Sequence, residues 1–239
     1  QAIPKASSLN KKIINTIPVE WRIDGKPVLG EARGLKAQKL EVKALFITAL
    51  EHHVSELIKT VELAGVEVVD VVAAPVAASF VTVSKKQRRV GCLFADIGAE
   101  TLSIIVFENN NLISLEVFPI GGADITNDLA LGLKLSLDDA ETVKLGGFSR
   151  TPYTKKKLEE IILARLEDCF ELIQTHLKKI GRDALLPAGV IMTGGSAATP
   201  NIKVLAEEVL SLPAQVAETH FGSGDKNKIK ETIWSNIFL

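Results

Sequence analysis

The sequence predicts an α/β protein, and three observations support that prediction. Short runs of β-branched and aromatic residues alternate with longer segments whose apolar residues recur at helical spacing. Three strand-like runs end at turns that contain glycine, at Gly98, Gly121-Gly122 and Gly194-Gly195. The chain has 239 residues and is 46% hydrophobic, so it can bury a substantial core in one large domain or two small ones.

The first third of the chain contains predicted strands, helices and a connector. Strands are predicted at 13–23 and 39–48, and Asp24-Gly25 forms a turn after the first. Apolar spacing predicts a helix over 50–64, with Gly65 as its C-terminal cap. The remaining predictions are a strand at 66–72, a small-residue helix at 75–83 and a solvated basic connector at 85–89.

The rest of the chain alternates more regularly. Strands are predicted at 91–97, 101–107, 112–119 and 188–192. Helices are predicted at about 124–132, from a Ser136 cap through Val143, over 154–179 with Gly181 closing it, and from Thr199-Pro200 to about Leu212. The longest helix carries an apolar stripe that we interpret as core, comprising Leu158, Ile161, Ile162, Arg165, Leu166, Cys169, Phe170, Ile173 and Leu177.

Composition excludes several classes of function. Lys and Arg number 28 against 29 Asp and Glu, so no net field attracts nucleic acid, and we expect no nucleic-acid partner. Cys92 and Cys169 lie in apolar patterns, which favours buried thiols over a disulfide. No stretch reaches the roughly 18 apolar residues of a membrane-spanning helix, and the polar N-terminus does not resemble a signal peptide.

The glycine turns suggest a phosphate site. A turn that carries Gly98 and Thr101 can bring backbone N–H groups and a hydroxyl close to a phosphate. Asp96, which precedes the turn, is suited to hold a water bound to Mg²⁺, because this cation keeps several waters. Alone, the motif favours an ordinary hairpin with an exposed aspartate. The turns at 121–122 and 194–195, each between a strand and a helix, shift the balance towards a bound nucleotide.

These residues carry a family resemblance. Residues 96–101 (DIGAET) resemble the second phosphate loop of the fold shared by actin, heat-shock chaperones and sugar kinases, and residues 192–197 resemble its adenosine motif. More narrowly, residues 119–145 (PIGGADITNDLALGLKLSLDDAETVKL), 14–28 and 57–79 resemble the bacterial cell-division actin homologue FtsA. The resemblance implies an actin-like ATPase fold with ribonuclease-H-like lobes and the small inserted domain peculiar to that family.

The same resemblance implies a division of the chain. Residues 1–74 correspond to the inserted domain, 75–90 to a connector helix of the first lobe, 91–227 to the second lobe with the nucleotide motifs, and 228–239 to a helix that closes the first lobe. The first phosphate loop of the family would lie upstream of residue 1. The family's membrane-targeting helix would likewise lie outside this sequence.

The resemblance also assigns the site. ATP with Mg²⁺ is the implied cofactor, and the segment 140–144 would face adenine and ribose through Glu141 and Lys144, although charge pattern alone fits a solvated helix face equally well. The full set of implied nucleotide-binding residues is Asp96, Gly98, Thr101, Gly121, Gly122, Glu141, Lys144, Gly194, Gly195 and Ser196, with Asp96 holding the metal through water.

The sequence departs from the family at the phosphate loop. Ala99 and Glu100 replace two glycines, and a carboxylate beside a phosphate is electrostatically adverse unless it points away. We therefore expect weak ATP affinity. The segment 146–154 is also shorter than its counterpart in the family.

Two classes of function follow from the resemblance. The first is a non-enzymatic cytoskeletal scaffold that polymerises, binds the C-terminal tail of FtsZ and links it to the inner face of the cell membrane at the division site. The second is another ATPase of the same fold, such as a sugar kinase, a chaperone or a pilus-assembly homologue. We find no convincing catalytic base or sugar-contacting loop for a kinase, which favours the scaffold.

Overall fold

The computed structural model describes residues 10–28, 32 and 34–217, in which two β-sheets are formed. The first is antiparallel, with the order β2-β1-β3, and comprises β1 (Lys11–Ile23), β2 (Lys26–Val28) and β3 (Leu40–Leu50). The predicted turn joins β1 to β2, and both Asp24 and Gly25 have positive φ there. Register shifts at Ile13/Asn15 and Pro18/Glu20 mark irregularities in the pairing of β1 with β3.

The segment after the first sheet is partly helical and partly irregular. Helix α1 (Glu51–Leu63) is followed by Gly65 with positive φ, as predicted. The strand predicted at 66–72 is wrong, because these residues form no strand. Their alternating valines suit a pleated surface, but a strand also needs a neighbouring strand with free backbone groups. Only tertiary context supplies that neighbour, and Val69 here is 90% exposed.

The basic run was also wrongly predicted to be a connector. After α2 (Ala74–Thr82), residues Lys85–Val90 form helix α3. Ser84 and Gln87 form a reciprocal capping box, which satisfies two backbone N–H groups at the start of this short helix. Arg88 is buried, and its guanidinium lies over the rings of Phe80 and Phe107. One member of the run is therefore a packing residue rather than a solvated charge.

The second sheet has five strands in the order β6-β5-β4-β7-β8. Strands β4 (Cys92–Ile97), β5 (Leu102–Glu108) and β6 (Asn111–Phe118) are antiparallel, whereas β7 (Val190–Thr193) and β8 (Ala214–Val216) pair in parallel beside β4. The sequence did not predict β8, since three residues give no periodicity.

Four longer helices flank this sheet: α4 (Gly122–Leu133), α5 (Leu137–Lys144), α6 (Lys155–Lys179) and α7 (Ile202–Leu210), with a short 3₁₀ helix at Gly195–Ala198. The side chain of Ser136 caps α5, as predicted. The side chain of Thr154 caps α6, in agreement with the predicted start of that helix at residue 154. The start predicted for α7 at Thr199-Pro200 is wrong by two residues. Asn201 is its N-cap, because the 3₁₀ turn occupies the residues before it.

The five-stranded sheet is covered on both faces. Helices α4, α6 and α7 pack on one face, where the stripe of α6 buries Leu166, Phe170, Ile173 and Leu177, so the prediction that this stripe is core is confirmed. The other face contacts α2 and residues of β1 and β3. Arg165 is the polar member of the stripe, and it forms an ion pair with Asp128 of α4.

Both cysteines are free and buried, as predicted. Burial raises the pKa of Cys92 to about 12 and that of Cys169 to about 11, so both thiols stay protonated at neutral pH. No helix within the described ranges has the length and hydropathy needed to cross a membrane. The helix predicted at 228–239 lies outside the described residues.

Candidate functional site

The three glycine turns meet at one end of the five-stranded sheet. Strand β4 pairs in parallel with β7, with Asp96 opposite Thr193, so the turns that follow these strands are neighbours. The backbone N–H of Gly122 donates to the carbonyl of Gly98 at 2.9 Å, which joins the turn before α4 to the β4–β5 turn. The structure thus brings together segments that are about a hundred residues apart in the sequence.

Two of the glycines are required because the turns touch. A Cβ at Gly121 would lie 2.6 Å from the carbonyl oxygen of Ala99. A Cβ at Gly194 would lie 2.5 Å from Oδ1 of Asp96, and Gly194 also has φ of +90°. These glycines therefore allow one turn to pack on another. The prediction that they also contribute to a nucleotide site stays a prediction.

The N-terminus of α4 is closed by protein groups. Ala123 N–H donates to the carbonyl of Ala99 at 2.7 Å, beside the Gly122 to Gly98 bond. The carboxylate of Asp124 accepts from Gly121 N–H at 2.8 Å, and Asp124 N–H donates back to the Gly121 carbonyl. The first N–H groups of this helix are therefore already bonded and do not form an open anion site.

Free donors lie instead in the other two turns. Ala99 and Glu100 are exposed, their backbone N–H groups have no hydrogen-bond partner in the described chain, and the hydroxyl of Thr101 is likewise unbonded. Gly195 and Ser196 open the 3₁₀ helix with N–H groups that have no acceptor within the described part. These donors suit an anion because turn N–H groups carry partial positive charge.

Lys144 joins the site from α5. Its Nζ lies 2.9 Å from the carbonyl oxygen of Gly122, 2.7 Å from Oγ1 of Thr126 and 2.6 Å from Oε2 of Glu141. All three ammonium protons therefore have acceptors. Thr126 also donates to Glu141 at 2.5 Å, so it links both charged residues to the second turn of α4. The sequence analysis missed Thr126, which could have been found as the residue one helical turn after Gly122.

Charge at this position is stabilised. Burial by itself raises the pKa of Glu141, but hydrogen bonds from Lys144 and Thr126 outweigh it, and the net pKa lies below the ordinary value. Glu141 is thus a carboxylate at neutral pH. The sequence left open whether Glu141 and Lys144 belong to a solvated helix face, and the contacts place both against α4.

Asp96 is a half-buried carboxylate at the end of β4. Burial raises its pKa, and no cation among the described residues offsets the loss of water. A divalent cation would supply such a charge. In the part of the chain that the structure describes, no group of three or more His, Cys, Asp or Glu could hold a metal by itself, so Mg²⁺ would need water and ligand phosphates as further ligands.

Comparison with known proteins identifies the family. The family model described as "Cell division protein FtsA" matches residues 93–236. The cell division protein FtsA of Bacillus subtilis is 31% identical over 230 residues, covering 87% of this chain and 52% of that protein. FtsA of Pseudomonas aeruginosa is 25% identical over 247 residues, covering 95% and 59%. The chain thus spans a little over half the length of these relatives.

Solved structures support the fold. The type IV pilus biogenesis complex PilM-PilN aligns with a TM-score of 0.67 at 18% identity, covering 88% of this chain and 57% of that chain. MreB5 of Spiroplasma citri bound to ADP aligns with a TM-score of 0.61 at 16% identity, covering 72% and 62%. These likenesses confirm the predicted actin-like α/β fold. The family model and the sequence matches show that this chain belongs to the FtsA family of cell division proteins.

Proposed function

We propose that this chain binds ATP or ADP, with Mg²⁺, between the turn at 98–101 and the turn at 194–196. The observation that carries the proposal is the pair of neighbouring turns with unbonded N–H groups beside the Lys144 cluster. The MreB5 structures, which were solved with ADP and with AMPPNP, lend support by fold. The bound Mg²⁺–nucleotide would supply the phosphate charge that these donors are suited to receive.

Each proposed site residue has a role consistent with its surroundings. The N–H groups of Ala99 and Glu100 and the Thr101 hydroxyl would receive phosphate oxygens, with Gly98 setting the turn. The Gly194-Gly195-Ser196 turn would contact the nucleotide from the other side. Gly121 and Gly122 hold the two turns together. Glu141 and Lys144 would face the adenine and ribose, and Asp96 would hold a water on Mg²⁺.

Calorimetric titration with Mg-ATP tests this site. We expect binding that weakens when Ser196 is changed to Glu, because the new carboxylate would repel phosphate. The matched control is Ser211→Glu, which makes the same change at an exposed site after α7. No binding at millimolar ATP would show the site assignment to be wrong.

The phosphate-loop departure gives a second test. Ala99→Gly with Glu100→Gly removes one charge and two Cβ atoms, and we expect several-fold tighter nucleotide binding, since a like charge near the surface is worth about 1 kcal/mol. Glu67→Gly removes a carboxylate from an irregular exposed segment and serves as the control. Unchanged affinity in the double variant would indicate that Glu100 does not act on the nucleotide.

At the level of the whole protein, we assign a scaffold role rather than an enzymatic one, with at most weak ATPase activity. Such a scaffold would polymerise and would link the FtsZ tail to the cell membrane. The proposed division of the chain is an inserted domain at 1–74, a connector helix at 75–90, a second lobe at 91–227 and a closing helix at 228–239. Sedimentation with and without Mg-ATP tests polymerisation. If the same amount of protein pellets with and without nucleotide at every protein concentration, assembly does not depend on the nucleotide.

The pilus-assembly alternative is disfavoured by the family match, because the likeness to PilM extends only to the fold.

We place the proposed FtsZ-tail site on the lobe around α6, which has a basic opening at Lys155–Lys157 and a basic close at Lys178, Lys179 and Arg182. The alternative is that the closing lysines only complement the helix dipole and the opening ones are solvated. Lys155, Lys156 and Lys157 are exposed, but each lies 3.6–4.0 Å from a glutamate on the same helix, so their field is partly cancelled. Changing all three to Glu should slow encounter with a labelled FtsZ-tail peptide and reduce its salt dependence. Titration at two salt concentrations measures this. Equal affinity and salt dependence in variant and parent would remove these lysines from the partner site.

A further inference from the structure

A cleft separates the three-stranded sheet from the β5–β6 hairpin, away from the glycine turns. Its volume is about 920 Å³, near the upper end of the range for binding pockets. Residues of β1, β2 and β3 form one wall. The β5–β6 turn and the C-terminal end of α6 form the other. Neither the proposed nucleotide site nor the start of α6 contributes to this cleft.

Both walls are held in place by polar contacts. The side-chain amide of Asn111 donates to the carbonyl of Val19 at 3.2 Å, which connects the hairpin to β1. Val19 is available for this bond because the β1–β3 register skips it between Pro18 and Glu20. Within the opposite wall, Arg182, which follows α6, forms an ion pair with Glu108 of β5 at 2.8 Å. The cleft is therefore a built feature of the fold.

The charges that line the cleft do not balance. Among the described residues of the lining, the two acidic side chains are each engaged by an arginine, Glu20 by Arg22 and Glu108 by Arg182. The other two cations of the lining, Lys43 and Arg89, are exposed and form no ion pair with any described residue. The cleft thus offers two uncompensated positive charges.

Between these charges lie apolar and amide groups. Trp21 is half-buried in the lining, with Ile113 and Ile180 beside the opposite wall. Asn109 and Asn110 both adopt positive φ at the tip of the hairpin, and their side-chain amides have no hydrogen-bond partner among the described residues. Amide groups of this kind can donate to and accept from a peptide main chain.

The lining residues that the structure describes contain no serine, threonine, cysteine or histidine, which favours binding over catalysis. We propose that this cleft binds an acidic peptide segment of a partner protein. An apolar side chain of the peptide lies on Trp21, its carboxylates pair with Lys43 and Arg89, and its main chain bonds the asparagine amides. Charge complementarity selects the acidic peptide, because a basic one would leave both cations repelled.

Fluorescence anisotropy with three labelled short peptides tests this site. One peptide alternates Glu with Leu, one alternates Lys with Leu, and one alternates Glu with Ser. We expect the Glu–Leu peptide to bind at least about tenfold more tightly than either of the others, since only it satisfies both charge and apolar surface. The Lys43→Glu/Arg89→Glu variant should lose at least about tenfold of that affinity.

A matched control separates the cleft from general charge. Lys85→Glu/Lys86→Glu makes the same charge change at exposed positions on α3 that do not line the cleft, and it should leave Glu–Leu binding within about twofold. Trp21→Ala tests the apolar contact, and circular dichroism checks that each variant is folded. Absence of binding, equal binding of the three peptides, or equal loss in the two charge-reversal variants would overturn the proposal.

Discussion

The two sheets of this protein differ in how completely they are buried. In the five-stranded sheet, all of β5 except Glu108 is buried, and β4 is buried except for half-buried Asp96. In the three-stranded sheet, no residue of β1 reaches full burial, and the pattern alternates between half-buried and exposed. A strand covered on both faces must be apolar throughout, whereas a strand covered on one face needs only alternate apolar residues.

This difference explains where the candidate nucleotide site lies. The turns at Gly98 and Gly194 follow the buried strands β4 and β7, and the turn at Gly121 follows the partly buried β6 of the same sheet, so the strands hold these turns in fixed positions. Direct contact between turns then requires glycine. In the smaller sheet, a Cβ at Gly25 would meet no described atom within 4 Å. A rigid sheet can thus bring backbones together to build a site, and a half-exposed sheet leaves its turn in solvent.

The largest expected difference between the regions comes from truncating a side chain. Phe170 is fully buried on α6, and Phe170→Ala should lower the free energy of unfolding by about 3–5 kcal/mol, since it leaves a cavity under the five-stranded sheet. Leu40→Ala in β3, where Leu40 is 52% exposed, should cost under about 1 kcal/mol. Chemical denaturation measures both. Similar costs would mean that the smaller sheet is as well packed as the larger one.

A matched pair of glycines tests the contact between turns. Gly194→Ala places a Cβ against Asp96 and the Ile97 carbonyl at positive φ, so we expect a loss of about 2–4 kcal/mol. Gly25→Ala also has positive φ but meets no described atom within 4 Å, so it should cost only about 1 kcal/mol of backbone strain. Gly194, with ψ of 172°, lies in a region that is essentially restricted to glycine, which adds to its cost. Thermal and denaturant unfolding compare the two variants. Equal losses would show that packing of the turns contributes nothing beyond the φ requirement.

Arg88 lies where α3 packs on the larger sheet, and here replacing a buried side chain should raise stability rather than lower it. Its Nε is buried and has no hydrogen-bond partner among the described residues, and burial lowers its pKa. Arg88→Met keeps the packing on Phe80 and Phe107 while removing the buried charge, so stability should rise by up to about 1 kcal/mol. Arg88→Ala, which loses the packing too, should be less stable than the parent. A stability loss in the Met variant as large as in the Ala variant would contradict this account.

The smallest expected effect is a pH dependence at His176. This buried histidine of α6 contacts Ser114 at 2.8 Å and Glu116 at 3.8 Å on β6, with Lys179 nearby on its own helix. Burial lowers its pKa below the ordinary value of 6.5, so the unfolded chain binds a proton more readily than the folded one. Stability therefore falls as pH drops below about 6.5.

The variant His176→Gln isolates that contribution, because glutamine keeps hydrogen-bonding groups and does not titrate. We expect its unfolding free energy to decline less steeply than that of the parent between neutral and mildly acidic pH. Denaturant unfolding at several pH values measures the slopes. Parallel slopes in parent and variant would exclude His176 as a source of the pH dependence.

Local pattern was sufficient for most of the secondary structure. The predicted strands at 91–97, 101–107 and 112–119 and the helix at 154–179 correspond to observed elements, because each has a long or strictly periodic apolar pattern. The strand prediction for 66–72 was wrong, because local pattern is not sufficient there. Its valines satisfy β propensity, but strand formation also depends on a neighbour distant in sequence. The helix at 85–90 was not predicted, because its basic residues favour a solvated connector. The capping box of Ser84 and Gln87 is the local signal for this helix.

The sequence by itself determined the family, the α/β class and the segments that contribute to the candidate site, since all of these follow from local motifs and spacing. Only the tertiary structure decided that Gly121 and Gly194 pack turn against turn, that Thr126 joins Glu141 to Lys144, and that a cleft lies beside Trp21. The physical reason is that each of these features is a contact between residues far apart in the chain. Such contacts are fixed by how sheets and helices pack, and local periodicity carries no information about them.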